Sequence, residues 1–234
     1  GSGLLGLLAG ASPSQWFFAW GHPLLLPALG LSLKTSLITI LLVVALGTPL
    51  AWWLAQRRRL PFWQWVVDVP MVLPPAVIGL ALLVVFSPSS GWGLGEGLVF
   101  STTAVVLAQT IVSAPFYIAA ATAAFGAVDD DMIWVARSLG QNAQGAFFRV
   151  VLPTAMPGLL AGLGMAWARA LGEFGATLFV AGNLPGVSQT MPLAIYTVME
   201  SSLPAALSFA LVLVSLALSA LLVLRVLLRG REKA

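Results

Sequence analysis

The sequence predicts an all-α fold: a polytopic membrane bundle of five helices, or six if residues 1–30 insert as a further span. Three observations carry this. The chain is 59% hydrophobic and 8% charged, with a mean hydropathy of +0.99, whereas soluble domains carry about 25% charged residues. Apolar stretches near the roughly 20 residues that cross a bilayer recur along it. Its basic residues gather at the ends of those stretches, where they act as topology signals. The 234 residues suffice for one membrane domain, read as residues 31–228, with a short tail at 229–234.

Residues 1–30 open with a Gly-Ser-Gly that carries no structural argument. A short leucine run follows, then Trp16, Phe17, Phe18, Trp20 and His22. This reads as either an interfacial segment or an extra helix. The absence of a basic stretch before the leucines argues against a cleaved signal peptide. The first clear span covers about 28–55 and ends at Arg57, Arg58 and Arg59. Lys34 near its outer end reads as snorkelling to the interface, and Trp52, Trp53, Trp63 and Trp65 as interfacial anchors. The second span, about 65–86, holds Pro70, Pro74, Pro75 and Gly79 and should be kinked. Residues 87–97 are turn chemistry. The third span covers about 101–125, the fourth about 154–180 and the fifth about 205–228. Residues 182–203 read as a mixed polar and apolar loop.

With an outside N-terminus, five spans place Arg57–Arg59, Arg137, Arg149, Arg225, Arg229, Arg231 and Lys233 on one side, nine bases in all. The opposite loops, 87–97 and 182–203, contain no Lys or Arg. By the positive-inside rule the nine-base side, with the C-terminus, is cytoplasmic.

Between the third and fourth spans the lipid-like composition breaks. Residues 129–153 carry three consecutive acids, two arginines and a run of amides and glycines. Met132, Val135, Ala136 and Leu139 recur at helical spacing, and the acids sit at the N-terminal end, where the helix dipole favours them. Gly140 stops this helix. A second short apolar face follows (Ala143, Phe147, Val150, Val151) before Pro153. Such a segment presents a surface to something soluble.

The chemistry the chain can offer is narrow. It has no cysteine and one histidine, so no metal cluster or nucleophilic dyad is expected. No Gly-Lys-Ser/Thr sequence exists, so nucleotide energy would have to come from another polypeptide. The alternating Gly91, Gly93, Gly95 and Gly97 fit neither a phosphate loop nor a dinucleotide fingerprint. The basic pI reflects helix ends rather than a nucleic-acid surface. Arg169 and Glu173, four residues apart, can pair on one helix face. At membrane depth such a pair either orients its helix or lines a pathway. Gly158 and Gly162 give a small-xxx-small spacing that lets a second backbone approach. Paired repeats expected of a secondary transporter and the filter expected of a channel are not evident.

Residues 136–153 resemble the cytoplasmic signature of the membrane subunits of binding-protein-dependent ABC importers: Glu-Ala-Ala, three residues, Gly, nine residues, Ile, one residue, Leu-Pro. Ala136 fits the end of the triplet. Gly140 is followed after nine residues by Val150, then Val151, Leu152 and Pro153. Trp134 and Val135 depart from Glu-Ala, which removes a charged contact that Asp129–Asp131 could supply from one turn earlier. Residues 167–202 (WARALGEFGATLFVAGNLPGVSQTMPLAIYTVMESS) and 67–86 resemble the molybdate permeases of that group, with sulfate permeases the nearest relatives.

The resemblance implies a type I ABC permease fold and a homodimer with two ATP-binding subunits, which would hold ATP and Mg. It also implies a periplasmic or lipid-anchored molybdate-binding protein and a place in a bacterial or archaeal cell membrane. It implies that 129–153 is the coupling segment, contributing Asp131, Trp134, Ala136, Arg137, Leu139, Gly140, Phe147, Leu152 and Pro153 to the ATPase contact. The candidate pathway or gate residues are Arg169, Glu173, Gly175, Thr177, Asn183 and Gln189. No catalytic residue and no cofactor is expected in this chain. A sulfate or thiosulfate permease, or a secondary anion transporter, is the alternative.

Overall fold

The structure is a computed structural model that describes residues 21–57, 61–87 and 97–231. The expectations for residues 1–20, Arg58, Arg59, Gly91, Gly93, Gly95 and Lys233 lie outside the described residues, as do the side chains of Arg225, Arg229 and Arg231.

The architecture is all-α. Helix α1 (Leu25–Gln56) corresponds to the first span. Helices α2 (Pro61–Val72) and α3 (Pro75–Phe86) correspond to the second, and α4 (Thr102–Gly126) to the third. The polar segment holds α5 (Asp130–Ser138), α6 (Ala143–Ala146) and a π turn (Phe147–Val151). Then come α7 (Leu152–Leu171), α8 (Gly175–Ala181), α9 (Met191–Ser201) and α10 (Leu203–Arg231). Among the described residues, Leu25–Gln56, Thr102–Gly126 and the continuous run Ala143–Leu171 are long and apolar enough to cross a membrane.

Four sequence expectations are corrected in detail. The second span is not one kinked helix but two, with axes 109° apart. Pro74 is extended (φ −56°, ψ 131°) and Pro75 starts the next helix, because a residue preceding proline is pushed out of the α region. The fourth span stops at Leu171, and α8 resumes after a break at 172–174. The apolar face at 143–151 is not a separate unit, since it runs straight into α7. Pro153 therefore marks no boundary. The π turn lies just ahead of it, where the Leu152 N–H donates to Phe147 O, five residues back, and a wider turn tolerates the nearby residue without a donor. Finally, the loop at 182–203 contains helix α9, whose Met191, Leu193, Ala194 and Val198 are buried.

Helix α4 is central, packing along both α1 and α7. Its antiparallel contact with α7 is close because small residues face each other. A Cβ on Gly158 would lie 2.5 Å from Ala124 Cβ, and one on Gly162 2.7 Å from Ala120 Cβ. The small-xxx-small spacing thus works inside the subunit, where backbone proximity replaces the missing hydrophobic drive between helices in lipid. Towards the polar segment the core joins Val43, Leu54, Phe125, Val151 and Leu159. At the opposite end, Ile78, Val105, Ala176 and Val180 form a second cluster. Some polar side chains buried in the bundle are bonded locally or across helices: Ser113 Oγ donates to Gln109 O, and Thr39 Oγ1 to Gln109 Oε1, while Gln109 Nε2 has no partner.

Candidate functional site

Most of the residues singled out by sequence fall into two places at opposite ends of α7. At its N-terminal end lies the polar segment. Asp129 caps α5, its carboxylate accepting from the Asp131 N–H at 3.0 Å. Asn142 caps the next helix through the Gly145 N–H at 2.7 Å. Between them Gly140 has φ +85°, the left-handed conformation that glycine adopts at a helix stop without steric cost. Arg149 donates to Gln141 Oε1 at 3.1 Å, bracing the turn.

The segment has two faces. Inward, Ala136 is buried, Ile133 packs on the core, and Phe147 stacks with Trp52 and Phe125 at centroid distances of 5.2 and 6.0 Å. Outward, Met132, Trp134, Val135, Leu139 and Phe148 are exposed, Leu139 by 78%. Most of the apolar stripe read from the sequence therefore points away from the bundle, with only Ala136 turned in. Asp131 and Arg137 are exposed on the same helix, and the Arg137 guanidinium lies 5.9 Å from the Trp134 ring. Leu152 and Pro153 belong to the first turn of α7. An exposed apolar patch rimmed by charges marks a candidate interaction surface.

At the other end of α7, beside the break at 172–174, Arg169 and Glu173 meet. Arg169 Nη1 and Glu173 Oε2 are 2.6 Å apart, with Glu173 almost fully buried and Arg169 27% exposed. The second carboxylate oxygen, Oε1, accepts from the Ala176 N–H at 2.8 Å. The glutamate thus holds an arginine on α7 and the first turn of α8 at once. Neither glycine side of the break carries a Cβ, and the Glu173 N–H donates to Ala170 O instead of continuing the helix.

Gly175 and Thr177 lie on α8, which crosses α3 at backbone contact. A Cβ on Gly175 would meet Ala76 N at 3.2 Å, and one on Gly79 would meet Ala176 O at 2.6 Å. The Thr177 hydroxyl is buried without a hydrogen-bond partner. Beside the break the Phe174 and Tyr196 rings are 5.6 Å apart, with Tyr196 exposed. Sequence reasoning passed over Tyr196; its ring becomes visible only once α9 is folded back against the break.

Asn183 and Gln189 sit elsewhere, in the loop before α9. Gln189 Nε2 donates to Asn183 Oδ1 at 2.9 Å, and Asn183 Nδ2 to Thr197 Oγ1 at 2.8 Å. The loop is tied to its surroundings as well: Thr102 Oγ1 donates to Val187 O at 2.6 Å, and the Met191 N–H to Ser32 Oγ at 2.7 Å. These two residues brace the loop rather than join the Arg169–Glu173 pair. Among the described residues no cluster of three metal-ligating side chains occurs.

The molybdenum transport system permease protein ModB of Mycobacterium tuberculosis is 41% identical over 197 residues, covering 81% of this chain and 75% of that protein. A probable molybdenum ABC transporter permease protein of Haloferax volcanii is 40% identical, covering 84% and 73%. The molybdate/tungstate transport system permease protein WtpB of Thermococcus kodakarensis is 39% identical, covering 91% and 82%. In three dimensions the chain is similar to a chain of the MetNI methionine ABC transporter in an inward-facing conformation. The TM-score is 0.71 at 15% identity, covering 94% of this chain and 98% of that one. An amino acid ABC transporter crystallised with histidines gives a TM-score of 0.66 at 20% identity, covering 89% and 94%. These two likenesses speak to the fold. A family profile matches residues 47–233. The chain is a multi-pass membrane protein and a member of the binding-protein-dependent transport system inner membrane component family.

Proposed function

We propose that this chain is the permease subunit of an ABC importer for molybdate, with tungstate as a second cargo. The observation that carries the reading is the 39–41% identity, over most of the chain, to permeases named for molybdenum or for molybdate and tungstate. The functional unit would be a homodimer of this chain with two ATP-binding subunits that hold ATP and Mg, fed by an extracytoplasmic molybdate-binding protein. The chain itself performs no chemistry. Its C-terminus and polar segment would face the cytoplasm, as the distribution of bases suggests.

The outward stripe of Met132, Trp134, Val135 and Leu139 supports docking of the ATPase, with Asp131 and Arg137 at its edge. Because the segment after Gly140 continues into α7, movement of the ATPase pair would be passed directly to the break at 172–174. Rigid-body rotation of the two permease copies would then open the pathway alternately to each side. In the dimer two Arg169 side chains would border that pathway, each largely neutralised by its own Glu173. Such a path attracts an anion without trapping it, as conduction requires. Specificity would then lie in the binding protein. Thr177 and Gly175 would shape the wall at the break, while Asn183 and Gln189 would keep the outer loop rigid.

The test is uptake of radiolabelled molybdate by the reconstituted complex, with excess unlabelled tungstate or sulfate. Competition by tungstate and not by sulfate is expected. Uptake that sulfate abolishes and tungstate leaves alone would overturn the cargo assignment.

A further inference from the structure

A cavity of about 750 Å³ lies between α1, α7 and the coupling segment, apart from the Arg169–Glu173 break. Its wall includes Val44 and Trp52 of α1, Met156 and Leu160 of α7, and Phe147 and Phe148 between them. The polar groups it holds are few. Thr48 Oγ1 and Tyr117 OH bond each other at 2.7 Å and leave little for a ligand to satisfy. Gln144, exposed, stands at the end nearest the coupling segment. Nothing in this lining would compensate an oxyanion for its lost water, so the cavity is no part of the anion's route.

Its shape and rim point to another ligand. From Gln144 to Leu163 the lining follows the helix for about 28 Å, more than the ~15 Å that one leaflet of the hydrocarbon core requires. At the end where Gln144 lies, Phe148 is 64% exposed although it is a large apolar ring. The next residue, Arg149, is exposed and uses one donor on Gln141. None of the lining residues is acidic. An apolar slot between membrane helices, with an exposed cation on the residue that follows the lining ring Phe148, matches an acyl chain attached to a negative headgroup.

We infer that this cavity is a binding site for one anionic phospholipid, its acyl chain between α1 and α7 and its headgroup at Arg149 and Gln144. Because the wall is shared by the coupling segment and α1, the lipid would act as a wedge that sets how firmly the segment is seated. The inference rests on the chain's membrane embedding and not on its cargo, so failure of molybdate uptake would leave it standing.

The experiment uses the full permease–ATPase complex in bacterial membranes, with p-benzoylphenylalanine in place of Leu160. Irradiation should add the mass of one phospholipid to the chain. A covalent dimer, a link to residues 1–20 of the same chain, or no added lipid mass would overturn the assignment. The headgroup is tested by native mass spectrometry after exchange into equal amounts of phosphatidylglycerol and phosphatidylcholine. The wild-type complex should retain the anionic lipid at least fivefold over the neutral one. Arg149→Gln, an exposed position, should abolish that preference while total lipid occupancy persists. An unchanged preference in Arg149→Gln would overturn the anionic assignment.

Discussion

A Cβ placed on Gly79 would stand 2.6 Å from the carbonyl oxygen of Ala176, so α3 and α8 meet backbone to backbone. This contact fixes where the chain re-enters the bundle after the break that ends α7. Neither partner can yield easily, since the clash is with main chain rather than with the tip of a flexible side chain.

Gly79→Val should therefore destabilise the protein by at least the 1–3 kcal/mol typical of overpacking. Thermal unfolding in detergent measures it. Gly30→Ala is the control, because a Cβ there meets nothing within 4 Å, and it should leave the midpoint unchanged or slightly raised.

The α4–α7 crossing offers a compensation test. Gly158→Ala would bring a methyl within 2.5 Å of Ala124 Cβ, costing about 1–3 kcal/mol. Adding Ala124→Gly should recover much of that loss. No recovery in the double variant would mean that the two positions do not meet.

Glu173 serves two partners, and its variants separate them. Glu173→Gln keeps an oxygen for the Ala176 N–H but removes the charge that offsets Arg169. Glu173→Ala removes both, and losing one member of a buried pair costs on the order of 3–5 kcal/mol. Stability should fall in the order wild type, Glu173→Gln, Glu173→Ala. If Arg169 borders the pathway, Glu173→Gln should also alter uptake per assembled complex; unchanged uptake with unchanged basal ATPase activity reduces the pair to a structural latch.

Gly140 has a positive φ and open space around it, so conformation rather than size decides what replaces it. Gly140→Asn should be tolerated, since asparagine visits this region at modest cost. Gly140→Val should lose the turn, and with it ATPase co-purification and uptake. Gly140→Asp shares asparagine's backbone tolerance but adds charge beside the docking stripe, so retained association and transport in that variant would remove the stripe from the contact.

Much of the fold could be read from composition and helix-end charges, because a membrane chain declares its spans by length and polarity. The third span matched closely for that reason. What escaped was re-entry. Gly172 and Gly175 flank the fourth-span break, but glycines also occur inside continuous membrane helices, and the polar dip at Arg169 and Glu173 reads equally well as an ion pair on one unbroken helix face. Pro74 and Pro75 announced a bend, while its 109° angle and the seating of α3 against α8 are visible only in the folded chain. In the site, the Arg169–Glu173 spacing was legible because a pair four apart meets whether or not the helix continues one residue further. The outward direction of Leu139 was not, since an apolar stripe looks the same whether it faces its own core or a partner's. Asn183 and Gln189 read as pathway polars in one dimension, while their bonds to each other and to Thr197 appear only once the loop is folded onto α9.

The uninterrupted run from Ala143 to Leu171 has a mechanical consequence. At 29 residues it is a rod of about 43 Å. Pivoting near the end where Phe147 is wedged against Trp52 and Phe125, it would carry Arg169 through about 0.6 Å for each degree of tilt. A rotation of a few degrees, small beside a whole-domain movement, would thus displace the guanidinium by more than the slack in a 2.6 Å ion pair. Either α8 travels with the rod or the latch opens, so the span of this helix sets the smallest stroke that its far end can feel.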